Sequence, residues 1–262
     1  MPNKVYIVGA GPGAADLLTL RADALLRRAG TVLHDDLVPQ EILDLCPASA
    51  EIINVGKRCG SHSRSQDQIN ALMIWHATQN VEQTIIRLKS GDPAVFSRLG
   101  EEIDALRRAN IEVEIVPGIT AAAAAAAGAG LTLTDRRSAS TLVIATGHNS
   151  RNESLPHTIF DPARSTYAIY MPGPDYGRTA RDLMESGLAP STPCAVVSHA
   201  GRDSEETRFV TLAELVFIDE IPAPALVLVG EIARARKPLF HGEDHPPAIE
   251  GTSVTSSPSL NL

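Results

Sequence analysis

The chemistry in this chain is carried by short polar stations that each follow an apolar, β-branched run. His34-Asp35-Asp36-Leu37 follows TVL, Gly56-Lys57-Arg58 follows EIINV, and Arg87-Leu88-Lys89-Ser90-Gly91-Asp92-Pro93 follows TII. Val116-Pro117-Gly118-Ile119-Thr120 closes VEIV. A carboxylate, an ammonium and a guanidinium gathered in one place could move a proton and stabilise developing charge. Each station also has a plainer reading: Asp35 as a helix cap with Asp36 as its competitor, Lys57-Arg58 as a solvated pair, Asp92-Pro93 as a turn.

Gly9-Ala10-Gly11-Pro12-Gly13 lies between a strand-like run and a helical one, where glycines can let a ligand approach the backbone. Asp35, roughly twenty residues on, could serve as the ribose partner of a nicotinamide-dinucleotide fingerprint. Against that reading, Pro12 lacks an N–H that a phosphate could use, and Ala14 stands where GxGxxG has its last glycine.

The elements that must position these stations are legible in the periodicity. VYIVG (5–9), TVLHD (31–35), EIINVG (51–56), TIIRLK (84–89) and VEIVP (113–117) alternate with amphipathic stretches at 17–30, 39–47, 66–80 and 100–110. That is a βαβα pattern, and it predicts a mostly parallel sheet covered by helices. Gly30 is expected to end the first helix. In an open parallel sheet ligands bind beyond the carboxyl ends of strands, so the stations are expected to converge on one cleft.

Pro117-Gly118 interrupts the alternation, and an alanine-rich helix from Thr120 to about Gly128 leads into a second unit. There TLVIATG (141–147), TYAIYM (166–171), a helix over 177–187, CAVVSHA (194–200), TRFVTLAEL (207–215) and PALVLVG (224–230) are spaced more closely, which predicts a mixed sheet. We expect an N-terminal α/β domain over 1–118, a C-terminal α/β domain over 119–241 and a flexible tail over 242–262, where Pro, Ser and Gly replace periodicity.

Composition sets outer limits. The chain has 262 residues, 44% hydrophobic and 21% charged, so it can bury a sizeable core. With 23 basic against 31 acidic residues its formal charge is -8, which argues against nucleic acid or an anionic membrane surface as partner. Cys46, Cys59 and Cys194 lack metal-ligand or disulfide-framework spacing, so no metal is expected and a reducing cytoplasm suits the chain. No leader and no bilayer-length apolar run is read in the sequence.

Taken in order, VGAGPGAADLLTLRA, HDDLV, VGKRCGSHSRSQDQIN, RLKSGDPAVFSRLGEE, VPGIT, LTLTDRRSAS, ATGH, YMPG and PALVLVGE resemble the tetrapyrrole methylases over roughly residues 4 to 236. The resemblance implies a two-domain α/β homodimer with S-adenosylmethionine folded in the interdomain cleft. It implies methylation of two pyrrole carbons of uroporphyrinogen III to give precorrin-2, for sirohaem or cobalamin synthesis. A methylase of the same fold acting on a later precorrin is the nearest alternative. A nicotinamide-dependent dehydrogenase and a silent tetrapyrrole-binding protein are the alternatives from other classes.

Carried over position by position, the resemblance implies Asp35 as proton acceptor and Lys57 as proton donor. It implies cofactor contacts at Pro12, Ser90, Gly91, Asp92, Val95, Thr120, Ala121, Met171, Ala200, Pro224 and Ala225. Arg98, Glu101, Arg136 and Met171 are the implied substrate contacts, because arginines suit a rim of acetates and propionates. The chain departs from the family pattern at Ser90, Ala94, the segment Ser97-Arg98-Leu99-Gly100 and the segment Asp135-Arg136-Arg137-Ser138-Ala139.

Overall fold

In the computed structural model the structure describes residues 4–56, 64–79, 83–147, 161–219 and 221–234. The first half carries β1 (Lys4–Gly9), α1 (Leu20–Leu26), β2 (Thr31–His34), α2 (Gln40–Leu43), β3 (Glu51–Asn54), α3 (Gln66–Gln79), β4 (Ile85–Lys89), α4 (Leu99–Arg108) and β5 (Glu112–Val116). Its five strands form a sheet in the order β3-β2-β4-β1-β5, and every pair is parallel. β2 and β4 are buried along their whole length, as expected of strands covered by helices on both faces. Two apolar clusters flank the sheet. Val8, Leu25, Leu26, Val32 and Ile42 pack on one face, and Ile7, Leu33, Met73, Ile85 and Leu106 on the other.

The second half follows with α5 (Ala121–Gly128), β6 (Thr141–Thr146), β7 (Ser165–Tyr170), α6 (Tyr176–Glu185), β8 (Pro193–Ser198), β9 (Glu206–Thr211), α7 (Leu212–Leu215) and β10 (Ala225–Val229). The strand order is β6-β7-β10-β8-β9. β6 and β7 are parallel, whereas β7, β10, β8 and β9 pair antiparallel in turn. The mixed sheet expected from the closer strand spacing is therefore present. The alanines of α5 lie against Ala168, Ala195, Val197 and Leu226, where small side chains let the helix come close to the sheet.

Two local expectations are corrected. Gly30 does not cap the first helix, which ends at Leu26 with Arg27 as its C-cap. Instead Gly30 opens β2, donating to the Thr84 carbonyl at 2.9 Å, and a Cβ there would lie 2.8 Å from Gln83 Oε1. The run 207–215 is two elements, not one. Thr211 ends β9 and starts α7 through a reciprocal cap with Glu214, a Thr-x-x-Glu signal that is readable in the sequence. The tail over 242–262 lies outside the described residues.

Candidate active site

The parallel strands deliver their carboxyl ends to one place. Asp35 follows β2, Ser90-Gly91-Asp92 follow β4, and Thr120-Ala121 come shortly after β5 and begin α5. These residues line a cavity of about 210 Å³ together with Pro12 and Val95 from the first half. Met171, Ala200, Pro224 and Ala225 close it from the second. A second, larger cavity of about 580 Å³ shares Leu37, Met171, Pro224 and Ala225 as wall residues, so the two are chambers of one cleft.

Backbone close approach builds the floor. Gly11 and Gly91 exchange hydrogen bonds at 3.2 and 2.7 Å, and Gly91 has φ +68, a conformation glycine adopts without strain. A Cβ on Gly118 would sit 2.3 Å from the Gly91 carbonyl oxygen, and one on Gly9 would sit 2.6 Å from Gly118 N. Gly9 and Gly11 of the first turn thus serve backbone packing within the chain, and the turn reaches the cavity through Pro12. Asp92 is a fastener in the same floor: Oδ1 accepts from Ala94 N at 2.8 Å and Oδ2 from Gly118 N at 3.0 Å.

Beneath Asp35 lies a chain of buried charges. Arg87 and Lys89 alternate with Ile86 and Leu88 on β4, so both point to the same face of the sheet. There they meet Glu102 from α4, which is 0% exposed. Lys89 Nζ lies 2.9 Å from both carboxylate oxygens of Glu102, and Arg87 Nε lies 3.0 Å from Oε1. Arg87 Nη2 pairs with Asp35 Oδ1, and its Nη1 donates to the Leu33 and Leu88 carbonyls at 3.3 and 3.1 Å. Burial and then the neighbouring Arg87 push the Lys89 ammonium down from its usual range, with Glu102 and Asp35 opposing. Two cations and two carboxylates make the cluster neutral, and only Asp35 of the four opens on the cavity, its side chain 27% exposed.

Asp36, the alternative to Asp35, accepts from Asn54 Nδ2 at 3.0 Å and does not line the cavity. Asp35 therefore pairs with Arg87 and does not stand as a capping carboxylate. Lys57 lies outside the described residues. Met171 lines both chambers, with positive φ and 48% exposure. Arg98 and Glu101 form an exposed bidentate pair at the start of α4, with Arg98 Nε 2.7 Å from Glu101 Oε1. Only their neighbour Ser97 lines the smaller chamber. Arg136 is exposed, beside Arg137, which pairs with Asp135. None of Arg98, Glu101 and Arg136 is in the wall of either chamber.

Leu37, from the station after β2, is also in the wall, whereas Phe96, Tyr170, Val197, Arg202 and Leu226 line it without a functional signal in the sequence. The Tyr170 hydroxyl accepts from Ala122 N at 2.9 Å and sits 2.5 Å from Thr120 Oγ1, tying the end of β7 to the start of α5. Phe96 stands against the Tyr170 ring with centroids 5.3 Å apart. Val197 and Leu226 carry only the signature of sheet interior, since alternation along a strand does not say which face meets a ligand.

Fold and site together define a two-sheet α/β protein whose cleft joins the carboxyl ends of parallel strands to a second, mixed sheet. The family profile of Tetrapyrrole (Corrin/Porphyrin) Methylases matches residues 4–216. The chain belongs to the tetrapyrrole methylase family. It is 42% identical over 236 residues to the S-adenosyl-L-methionine-dependent uroporphyrinogen III methyltransferase of Methanosarcina barkeri, covering 88% of this chain and 92% of that one. It is also 42% identical over 248 residues to a siroheme synthase of Psychrobacter sp., covering 92% of this chain but 50% of that protein. The chain thus spans about half the length of the siroheme synthases it matches. The crystal structure of uroporphyrin-III C-methyl transferase from Thermus thermophilus, complexed with S-adenyl homocysteine, superposes with a TM-score of 0.76 at 34% identity. That match covers 89% of this chain and 96% of the other.

Proposed function

We propose that this chain transfers methyl groups from S-adenosylmethionine to two pyrrole carbons of uroporphyrinogen III, producing precorrin-2 for sirohaem or cobalamin synthesis. The observation that carries the reading is a carboxylate, Asp35, fixed by a buried guanidinium at the wall of a two-chambered cleft, in a chain of this family. The names of its relatives agree with it.

The cavity walls suit the cofactor. Val95, Phe96, Ala121, Val197 and Leu226 offer apolar surface to a nucleoside, while the backbone around Gly91 and Thr120 offers polar groups to its amino-acid arm. Gly91 leaves that face open, with no atom within 4 Å of where a Cβ would stand. When bound, the sulfonium supplies an electrophilic methyl group. The protein's own part is to hold the ring carbon in line with it, exclude water and accept the proton that the methylated carbon must lose. We assign the role of proton acceptor to Asp35, whose carboxylate at the cavity is paired with Arg87. Lys57 is retained as proton donor on the strength of the family resemblance. Ser90, Asp92, Pro12, Met171, Ala200, Pro224 and Ala225 shape the cofactor's walls. Arg98, Glu101 and Arg136 are proposed to meet substrate at the rim outside those walls.

We further propose domains over 1–118 and 119–241 and a cytoplasmic homodimer. Two separate five-stranded sheets support the division, and the free thiols Cys46 and Cys194 suit a reducing compartment. Light scattering on a sizing column tests the dimer. Anaerobic incubation of the purified protein with S-adenosylmethionine and uroporphyrinogen III should yield S-adenosylhomocysteine and a dimethylated product. Absence of turnover by a folded protein rejects the activity, and faster turnover of a later precorrin reassigns the substrate.

A further inference from the structure

Arg202 follows β8 in the turn after Ala200 and lines the smaller chamber. Its Nε donates to the Pro12 carbonyl at 3.4 Å and its Nη2 to the Leu37 carbonyl at 2.7 Å. One side chain from the second half of the chain therefore reaches two loops of the first. The fold makes room for it: a Cβ on Gly13 would lie 2.5 Å from Arg202 Nε and 2.6 Å from its Cγ. The turn that carries it is anchored as well, since Ala14 N donates to the Gly201 carbonyl at 3.0 Å and Gly201 N to Glu205 Oε2 at 2.6 Å.

Among the described residues, three charged side chains line this chamber: Asp35, Asp92 and Arg202. Asp35 has its counter-charge in Arg87, and both oxygens of Asp92 are taken by backbone N–H groups. Arg202 is different, because its hydrogen-bond partners among the described residues are neutral carbonyls. Two of the five guanidinium N–H donors are spent, and among the described residues no carboxylate pairs with the positive charge. A half-buried guanidinium at a cavity wall, held in place by two carbonyls, is preorganised for an anion, and its planar fork matches a carboxylate.

We propose that Arg202 is a carboxylate-binding residue of the cleft. Its position between the first glycine turn and the loop after β2 lets it engage the ligand across the seam between the two sheets. The identity of the carboxylate rests on the methyl-transfer reading: it belongs either to the amino-acid arm of the cofactor or to an acetate or propionate of the tetrapyrrole. Arg202 binds and orients; it takes no part in proton transfer.

Calorimetry with S-adenosylhomocysteine and absorbance titration with uroporphyrin III, the air-stable oxidised tetrapyrrole, test this on the wild type, Arg202→Gln and Arg202→Lys. We expect Arg202→Gln to weaken one of the two by about tenfold or more, as for loss of a charge-assisted pair, and Arg202→Lys, which keeps the charge but not the fork, to recover part of that loss. If the carboxylate is the cofactor's, S-adenosylhomocysteine binding falls while 5′-methylthioadenosine, which lacks the amino-acid arm, binds both variants as it binds the wild type. If it is the tetrapyrrole's, uroporphyrin affinity falls and S-adenosylhomocysteine affinity does not. Equal effects of Lys and Gln on affinity, or no effect of either, overturn the proposal, since a mere strap between loops is lost alike in both variants. The methyltransferase reading fails separately, by absence of wild-type turnover, and these binding comparisons remain readable in that event.

Discussion

Arg87 holds Asp35 from below: one guanidinium, 3% exposed, pairs with the carboxylate at the cavity and at the same time with Glu102 on α4, which is fully buried. The residue proposed to accept a proton is therefore not a free surface acid. Its orientation is set by a side chain that is itself fixed by Leu33, Leu88 and Glu102.

Asp35→Asn keeps the shape of the carboxylate and removes its basicity. The expected result is a fall in kcat of about 10²–10⁴, typical for loss of a general base, with S-adenosylhomocysteine affinity close to that of the wild type. Arg87→Lys keeps the charge but loses the planar fork that reaches both carboxylates. It should lower kcat more than it changes KM or cofactor affinity. Steady-state kinetics alongside calorimetry check both variants, and wild-type kcat in either one removes its residue from the mechanism.

Glu102 answers two cations with one carboxylate. Glu102→Gln leaves Lys89 and Arg87 with Asp35 alone, and breaking a buried pair from one side costs about 3–5 kcal/mol. Replacing both members, Lys89→Met with Glu102→Leu, leaves Arg87 and Asp35 balanced and should be markedly more stable than Glu102→Gln. Urea unfolding of the two variants beside the wild type tests this. A double variant no more stable than the single one would show that the cluster does not act through its charge balance.

The parallel sheet, the convergence of the loops after β2, β4 and β5, and the mixed second sheet were all legible from apolar periodicity, because strand ends in such sheets can point to only one edge. Residues near the turns were legible too: Pro12, Gly91, Asp92 and Thr120 lie on the cavity. What the sequence hid was partnership across distance. Nothing in RLKSGD says that Arg87 and Lys89 will share Glu102, since strand alternation gives their common face but not the helix that covers it. Arg202 carries no sequence signal of its role, which depends on the loops holding Pro12 and Leu37 being folded against it. A glycine after an amphipathic run signals a helix end locally, while the fold uses Gly30 to start β2 beside Gln83.

Gly118 lies where three backbones cross. In Gly118→Ala the new Cβ would meet the Gly91 carbonyl oxygen at 2.3 Å, and neither partner is the end of a flexible side chain. The floor must shift, so both stability and S-adenosylhomocysteine affinity should fall. Gly100, in the first turn of α4, has nothing within 4 Å of a Cβ. Gly100→Ala should stabilise by about 0.5–1 kcal/mol, the usual gain in a helix. Thermal melts and calorimetry on the pair separate the two cases, and similar behaviour of the two variants contradicts the assigned packing.

His76 predicts how the fold responds to acid. The residue is 1% exposed, its Nδ1 has no hydrogen-bond partner among the described residues, and Glu51 Oε2 stands 3.7 Å away at the surface. Burial pushes the imidazole pKa below its usual 6.5, and Glu51 opposes the shift only in part. The unfolded chain takes up the proton near pH 6.5, whereas the folded chain takes it up only at lower pH. Between those two values the unfolded state binds more protons, so stability present above pH 6.5 is lost as pH falls, at up to about 1.4 kcal/mol per pH unit from this one site. Urea midpoints at pH 7.5 and 5.5 should therefore drop further in the wild type than in His76→Leu. Glu51→Gln, which removes the opposing charge, should steepen the drop. Equal losses in the wild type and His76→Leu would assign the acid sensitivity to other groups.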